Sequence, residues 1–169
     1  AIDDFSQALD LNPLYPQYYQ QRALAYAAIN AHDFAIHDFD QALLLDVHDA
    51  LAYFYRGRSY SILGDYMRAI TDLTHAINLA PADPAIYFER ATNYYYACEY
   101  LRALADYRQA VRYEPSYAEA YAGLGAALLH VGHHIEALNS YRRYVELVGE
   151  QADKRIVRLV QRLEHHAMA

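Results

Sequence analysis

Ala103-Leu-Ala-Asp-Tyr-Arg-Gln-Ala-Val-Arg-Tyr-Glu-Pro115 is the stretch on which the fold turns. The same order of small, acidic, aromatic and apolar residues stands upstream as Ala1-Ile-Asp-Asp-Phe-Ser-Gln-Ala-Leu-Asp-Leu-Asn-Pro13. It returns from Ala35 and Ala69 and, more loosely, from Ala137. The starts at 1, 35, 69, 103 and 137 lie 34 residues apart each time, with nothing inserted or lost. A constant period of this length marks stacked supersecondary units, none of which can bury its apolar face alone.

Each copy of the stretch has helical spacing. In the first, Ile2, Phe5, Ala8 and Leu9 fall on one face, and Asn12-Pro13-Leu-Tyr-Pro16 ends it. Between copies the pattern predicts a second kind of helix. It runs from about residue 17 to 29 with Tyr19, Arg22, Ala23 and Tyr26 in one stripe, and a third helix from about Phe34 to Leu45 repeats the first. The stripe returns as Tyr53, Arg56, Gly57 and Tyr60, then as Tyr87, Arg90, Ala91 and Tyr94, then as Tyr121, Leu124, Gly125 and Leu128. Asp83-Pro84 reads as an N-cap followed by a proline in the first turn, and Ser116 to Glu119 as a capping box. Asn30, Gly64 and Gly132 suit a left-handed turn inside each couplet, and Cys98 is the exception at that place. Ala23, Gly57, Ala91 and Gly125 are small enough to let paired helices approach. The expected organisation is a single domain over 1–169. It comprises a half repeat (1–15), four repeats (16–49, 50–83, 84–117 and 118–149) and a capping helix (150–169). Ile156, Leu159, Val160 and Leu163 give that last helix one apolar stripe, as the end of a stack requires.

Composition agrees with a globular chain: 55% hydrophobic and 21% charged, with six glycines and five prolines. The net charge of −7 is uneven, because residues 1–50 hold eight acidic residues against the single Arg22. An acidic chain is poorly suited to nucleic acid, where cationic side chains supply most of the affinity, so no nucleic-acid partner is expected. The basic residues Lys154, Arg155, Arg158 and Arg162 read as a solvated helix face. Cys98 is the only cysteine, so no internal disulfide can form and the compartment stays open, with the cytoplasm favoured. No apolar run approaches a membrane span. Because the chain opens inside a helix, Ile2, Phe5 and Leu9 are expected to be covered by upstream residues or by another molecule.

These residues resemble the tetratricopeptide repeat (TPR) family: 34 residues, an early aromatic, small residues at the crossing, a later aromatic, then proline. Tyr19, Tyr53, Tyr87 and Tyr121 stand where the family often has Trp. Phe5, Phe39, Tyr107 and Tyr141 hold the later aromatic place, from which Leu73 departs. Pro13, Pro81 and Pro115 close their repeats, while Val47 and Gly149 do not. The resemblance implies an all-α, right-handed superhelical solenoid of antiparallel helix pairs that acts as a non-catalytic protein-interaction scaffold, part of a larger protein or complex. Self-association through the groove or the N-terminal edge is the alternative. Family members that grip chaperone C-terminal carboxylates use Lys, Asn and Arg on three successive first helices. Those places hold either Gln20, Leu24, Tyr55, Ala85 and Glu89 or Phe54, Arg58, Glu89, Glu119 and Gly123, so a chaperone tail is not expected.

No catalytic constellation stands out, and neither a cofactor nor a metal is expected. His130, His133 and His134 straddle Gly132, which breaks the helix between them. Glu99 beside Cys98 argues against a thiolate nucleophile. Gly123-Leu-Gly125 has no strand before it and cannot be a phosphate loop. The resemblance places a partner on a second face of the first helices: Gln20, Leu24 and Ala27; Phe54, Arg58 and Ser61; Phe88, Thr92 and Tyr95; Ala122, Ala126 and Leu129. Phe54, Arg58, Phe88, Thr92, Tyr95 and Leu129 are the candidate contacts, suited to a peptide with apolar anchors. Off-column tyrosines such as Tyr55, Tyr95 and Tyr96 add rigid contact area. Arg22, Arg56 and Arg90 recur together with Asp4, Asp38, Asp72 and Asp106, which predicts Arg–carboxylate pairs between helices. The sequence leaves open whether each Arg pairs within its repeat or with the preceding one.

Overall fold

The structure of the chain, a computed structural model, describes residues 1–167. Among the described residues there are ten α-helices, one short 3₁₀ turn and no strand. Two compact units divide the chain, Ala1–Ala82 and Asp83 onward. The first holds α1 (Ile2–Leu11), α2 (Pro16–Ala28), α3 (His32–Leu45), α4 (Ala50–Ile62) and α5 (Tyr66–Leu79). The second holds α6 (Pro84–Tyr96), α7 (Tyr100–Tyr113), α8 (Ala118–His130) and α9 (His134–Val148). A 3₁₀ turn at Gly149–Gln151 then leads into α10 (Lys154–Ala167). The last helix thus begins later than the expected residue 150, and Met168 and Ala169 lie outside the described residues.

Three-residue turns fold each couplet back on itself. Asn30 (φ 59°), Gly64 (81°), Cys98 (61°) and Gly132 (81°) all take the left-handed conformation. Behind each, the next amide bonds the carbonyl five residues back: Ala31 to Tyr26, Asp65 to Tyr60, Glu99 to Tyr94 and His133 to Leu128, at 2.8–2.9 Å. Their own amides reach back three residues at 3.0–3.1 Å. The two bonds together satisfy carbonyls that a helix end leaves free. Cys98 therefore adopts the shared turn despite its β-carbon, and the exception in sequence is not one in structure.

Helix starts follow the sequence in part. Asp49 and Asp83 cap α4 and α6, accepting from the amides of Ala52 and Ala85 at 2.9 Å each. The capping box at Ser116 does not form. Helix α8 starts at Ala118 with Tyr117 at its N-cap position, and the Ser116 hydroxyl donates to the Glu114 carboxylate at 3.4 Å instead. Helices α2 and α3 each start slightly before the expected residue, at Pro16 and His32.

In the first unit Ala23, Ala35, Phe39, Leu43 and Ala52 form the buried cluster. In the second, Ala91, Ala103, Leu104, Tyr107, Leu124, Leu128, Ala137 and Tyr141 do so, and Ile156, Leu159, Val160 and Leu163 of α10 pack against it. The crossings are close. A β-carbon on Gly57 would stand 3.1 Å from the Leu73 side chain and 3.3 Å from the Ala69 carbonyl oxygen. One on Gly125 would stand 2.9 Å from the Tyr141 ring.

The arginines pair as bidentate forks, which suits guanidinium geometry. Arg22 meets Asp38 at 2.7 and 2.8 Å, Arg56 meets Asp72 at 2.7 and 2.7 Å, and Arg90 meets Asp106 at 2.7 and 2.9 Å. Each fork partner lies 16 residues ahead, on the second helix of the same repeat, while Arg56 also pairs with a carboxylate of the preceding repeat. Arg22 and Arg56 also reach back, to Ser6 at 3.0 Å and Asp40 at 2.6 Å. Asp38, Asp72 and Asp106 are buried. Burial of Arg56 works against its charge, but hydrogen bonds to Asp72 and Asp40 outweigh it and hold the guanidinium above its usual range. Asp4 is exposed and takes no part in a clasp. The tyrosines that repeat at 19, 53, 87 and 121 do not form a buried column. They are half-buried, and the first three lie over the clasped guanidinium groups, 5.9, 5.5 and 6.0 Å from ring centre to central carbon. A phenol can cover a cation and keep its hydroxyl near water, so it needs no full burial.

Candidate functional site

Each unit carries candidate contacts on its own first helices. In the first unit α4 carries Phe54 and Arg58 one turn apart. The half-buried Phe54 ring meets Tyr55 edge-on at 5.1 Å, and Tyr55 in turn lies parallel to the buried Phe39 at 6.4 Å. Arg58 is exposed, with its guanidinium carbon 5.8 Å from the centre of the Phe54 ring. On α2, Gln20 donates to Asp49 at 2.9 Å, and Leu24 and Ala27 pack against the core. Ser61 is half-buried.

In the second unit α6 supplies Phe88, Thr92 and Tyr95, and α8 supplies Leu129. Phe88 sits between Tyr117 (5.0 Å) and Tyr107 (5.9 Å). The Thr92 hydroxyl lies 2.9 Å from the Phe88 carbonyl and 3.1 Å from the Tyr107 hydroxyl. Thr92 has one proton, and its carbonyl contact uses it, so the phenol of Tyr107 is the donor between them. Tyr95 bonds His130 Nε2 at 3.0 Å, and His130 lies flat on Tyr100 at 4.2 Å and 6°. The rings of Tyr95 and Tyr100 meet edge-on at 5.4 Å. Leu129 and Ala126 rest half-buried against the core, and Ala122 is half-buried.

Two residues escaped the sequence reading. Tyr107 belongs to the core column of the second helices, yet its phenol emerges beside Thr92, with burial pushing its pKa up to about 12. The signal was Gly123: a β-carbon there would lie 2.5 Å from the Tyr107 ring, so the glycine marks where that ring passes. His130 figures in the sequence only as one of three histidines set aside as metal ligands, but its ring joins α8 to α6 and α7 through Tyr95 and Tyr100. No spacing rule links residue 130 to 95 or 100.

Among the described residues no group of three or more His, Cys, Asp or Glu side chains is placed to hold a metal ion. No described helix is long and apolar enough to cross a membrane.

Helix pairs of constant period, joined by left-handed turns and crossed at small residues, define a helical repeat protein. Residues 50–83 and 88–152 each match the tetratricopeptide repeat, and the chain belongs to that family. Its fold is the all-α TPR solenoid. MamA from Desulfovibrio magneticus RS-1 is similar, with 20% identity, a TM-score of 0.84, and coverage of 90% of this chain and 86% of that one. A thermophilic TPR protein of Thermus thermophilus has 20% identity and a TM-score of 0.72 over 96% and 88% of the two chains. The first TPR domain of Spaghetti (RPAP3), bound to an HSP90 peptide, has 27% identity and a TM-score of 0.66 over 73% and 97%. No curated protein matches the chain in sequence.

Proposed function

We propose that the chain is a non-catalytic protein-interaction scaffold that takes an extended or helical peptide segment of a partner protein on the second face of its first helices. The contacts are Phe54 and Arg58 in the first unit and Phe88, Thr92, Tyr95 and Leu129 in the second. The observation that carries the reading is the support behind the aromatic side chains. Phe88 is held by Tyr107 and Tyr117, and Tyr95 by His130 and Tyr100. Rings fixed in advance lose little conformational entropy when a partner arrives. Arg58 adds an exposed cation beside an apolar ring, a place for a carboxylate or a backbone carbonyl of the ligand.

The RPAP3 domain is bound to an HSP90 peptide, but this chain is not suited to a chaperone C-terminal tail. By the family pattern its clamp places hold Gln20, Leu24, Tyr55, Ala85 and Glu89, none of them a cation. A register one repeat later offers Arg58 alone, beside Glu89 and Glu119. The expected ligand is therefore anchored by apolar side chains, with one polar contact at Arg58.

The test is an affinity capture from the source cell with the wild type, a Phe54→Ala/Phe88→Ala double variant and an Asn78→Ala control on the exposed face of α5. Circular dichroism first establishes that each is folded. Loss of the captured partner by the double variant alone supports the reading. A folded double variant that keeps every wild-type partner refutes it.

A further inference from the structure

The outer face of α10 has no role in the surface described above. Its sequence divides cleanly by angle. Ile156, Leu159, Val160 and Leu163 point to the core of the second unit, while Lys154, Arg158, Gln161, Arg162 and His165 are exposed on the opposite side. Lys154, Arg158 and Arg162 follow one another at four-residue intervals, so their Cα atoms climb the helix in steps of about 6 Å. Lys154, Arg155 and Arg158 form no ion pair among the described residues. Glu164, the acidic residue on this helix, is engaged by Arg142 of α9 at 2.6 and 2.9 Å.

The surface is also concave. A depression of about 670 Å³ lies between α9 and α10, with Val145 and Val157 beside Lys154 and Arg158. A second of about 550 Å³ continues along the helix to Arg162, sharing Arg158 and Gln161 with the first. Apolar side chains thus lie beside the cations of the first depression only, and the second is lined by polar and charged side chains. Glu150 and Glu164 stand among the lining residues.

We propose that this track binds an extended acidic peptide segment with carboxylates on alternate residues. The observation that carries it is the charge and spacing match. In an extended chain, side chains on one face repeat every two residues, about 6.6 Å, close to the step between the cations of α10. The side chains between the carboxylates point away from the track, so the carboxylates make the contact. A nucleic-acid backbone fits less well. Its phosphates are uniformly negative and would pass over Glu150 and Glu164, and Val145 and Val157 offer no stacking platform for bases. The first-helix surface is a separate site, and the two proposals stand independently.

Fluorescence anisotropy with a short fluorescein-labelled peptide of alternating Glu and Leu tests this on the intact chain. The wild type is expected to bind, with affinity falling as salt rises. A Lys154→Glu/Arg158→Glu variant is expected to bind at least about tenfold more weakly and to gain affinity for the matching Lys-Leu peptide. Both residues are exposed, so folding should survive, as circular dichroism would register. Equal binding of the Glu-Leu peptide by wild type and reversed variant overturns the proposal. Tighter binding of a single-stranded oligonucleotide than of the peptide also overturns it.

Discussion

The two units solve the same packing problem with different chemistry. In the first, both couplets close with an ionic clasp, Arg22 on Asp38 and Arg56 on Asp72, and the second-helix column behind them is hydrocarbon, Phe39 and Leu73. In the second unit the α6/α7 couplet keeps the clasp, Arg90 on Asp106, but α8/α9 has Leu124 and Ser140 in its place. The column there is phenolic, Tyr107 and Tyr141, both buried. One backbone crossing therefore accepts either a salt bridge or an apolar residue facing a hydroxyl that bonds its own helix, as Ser140 does to the Glu136 carbonyl at 2.9 Å. The clasp is a way to close the crossing and not a requirement of the fold.

That comparison breaks first at Arg56. Truncating it leaves Asp72 buried, with only 5% of its side chain exposed and its fork partner gone. An unpaired buried carboxylate costs about 3–5 kcal/mol. Urea denaturation of Arg56→Ala should show a loss in that range. A change of only a few tenths would mean that the pair behaves as a surface salt bridge.

The next effect separates the phenolic column from the hydrocarbon one. Burial raises the pKa of Tyr107 and Tyr141 to about 12 each. An unfolded tyrosine ionises near pH 10. A raised folded pKa means that the stability it represents is present below pH 10 and disappears as pH climbs from 10 to 12. Each group contributes about 2–3 kcal/mol to that loss. Thermal melts across this window should fall steeply, and a Tyr107→Phe variant should fall less. Identical pH profiles for the two proteins would show that the buried phenol is not linked to alkaline unfolding.

The smallest expected effect is the sharpest test of interchangeability. Arg56→Leu combined with Asp72→Ser installs the α8/α9 solution in α4/α5. Replacing both members of a buried pair by groups that need no partner is often neutral or stabilising. The double variant should therefore lie within about 1 kcal/mol of the wild type, far from either single change. If it is as unstable as Arg56→Ala, the crossing in the first unit depends on the charges themselves.

Much of this was legible in the sequence because the repeat multiplies each signal. A left-handed turn at Asn30 alone is ambiguous, but the same place holds Gly64 and Gly132. The joint disappearance of Arg and Asp at 124 and 140 foretold the clasp, because a buried fork needs both partners or neither. Its register was not legible, since residues before and after Arg56 both offered carboxylates, and the structure uses Asp72 and Asp40 together. The capping box failed because the proline turn at 115 sets where the backbone becomes helical, and Ser116 falls one residue too early. The candidate surface was legible only as positions. What stands behind its rings, Tyr107 through the gap at Gly123 and His130 on Tyr100, comes from side chains meeting across helices, which no linear pattern records.

The forward and backward reach of Arg56 has one more consequence, for how such a chain can grow. Its carboxylate partners stand 16 residues before and 16 after it, at Asp40 and Asp72. Arg22 has Ser6 and Asp38 at the same two distances. Duplicating or deleting any 34-residue block joins like phase to like phase, wherever the cut falls, and so returns each arginine to an oxygen on either side. An insertion of another length within a helix between Arg56 and either partner would turn one of them off the shared face. Whole-repeat steps thus preserve the clasps, in keeping with the unbroken spacing of the five starts from Ala1 to Ala137.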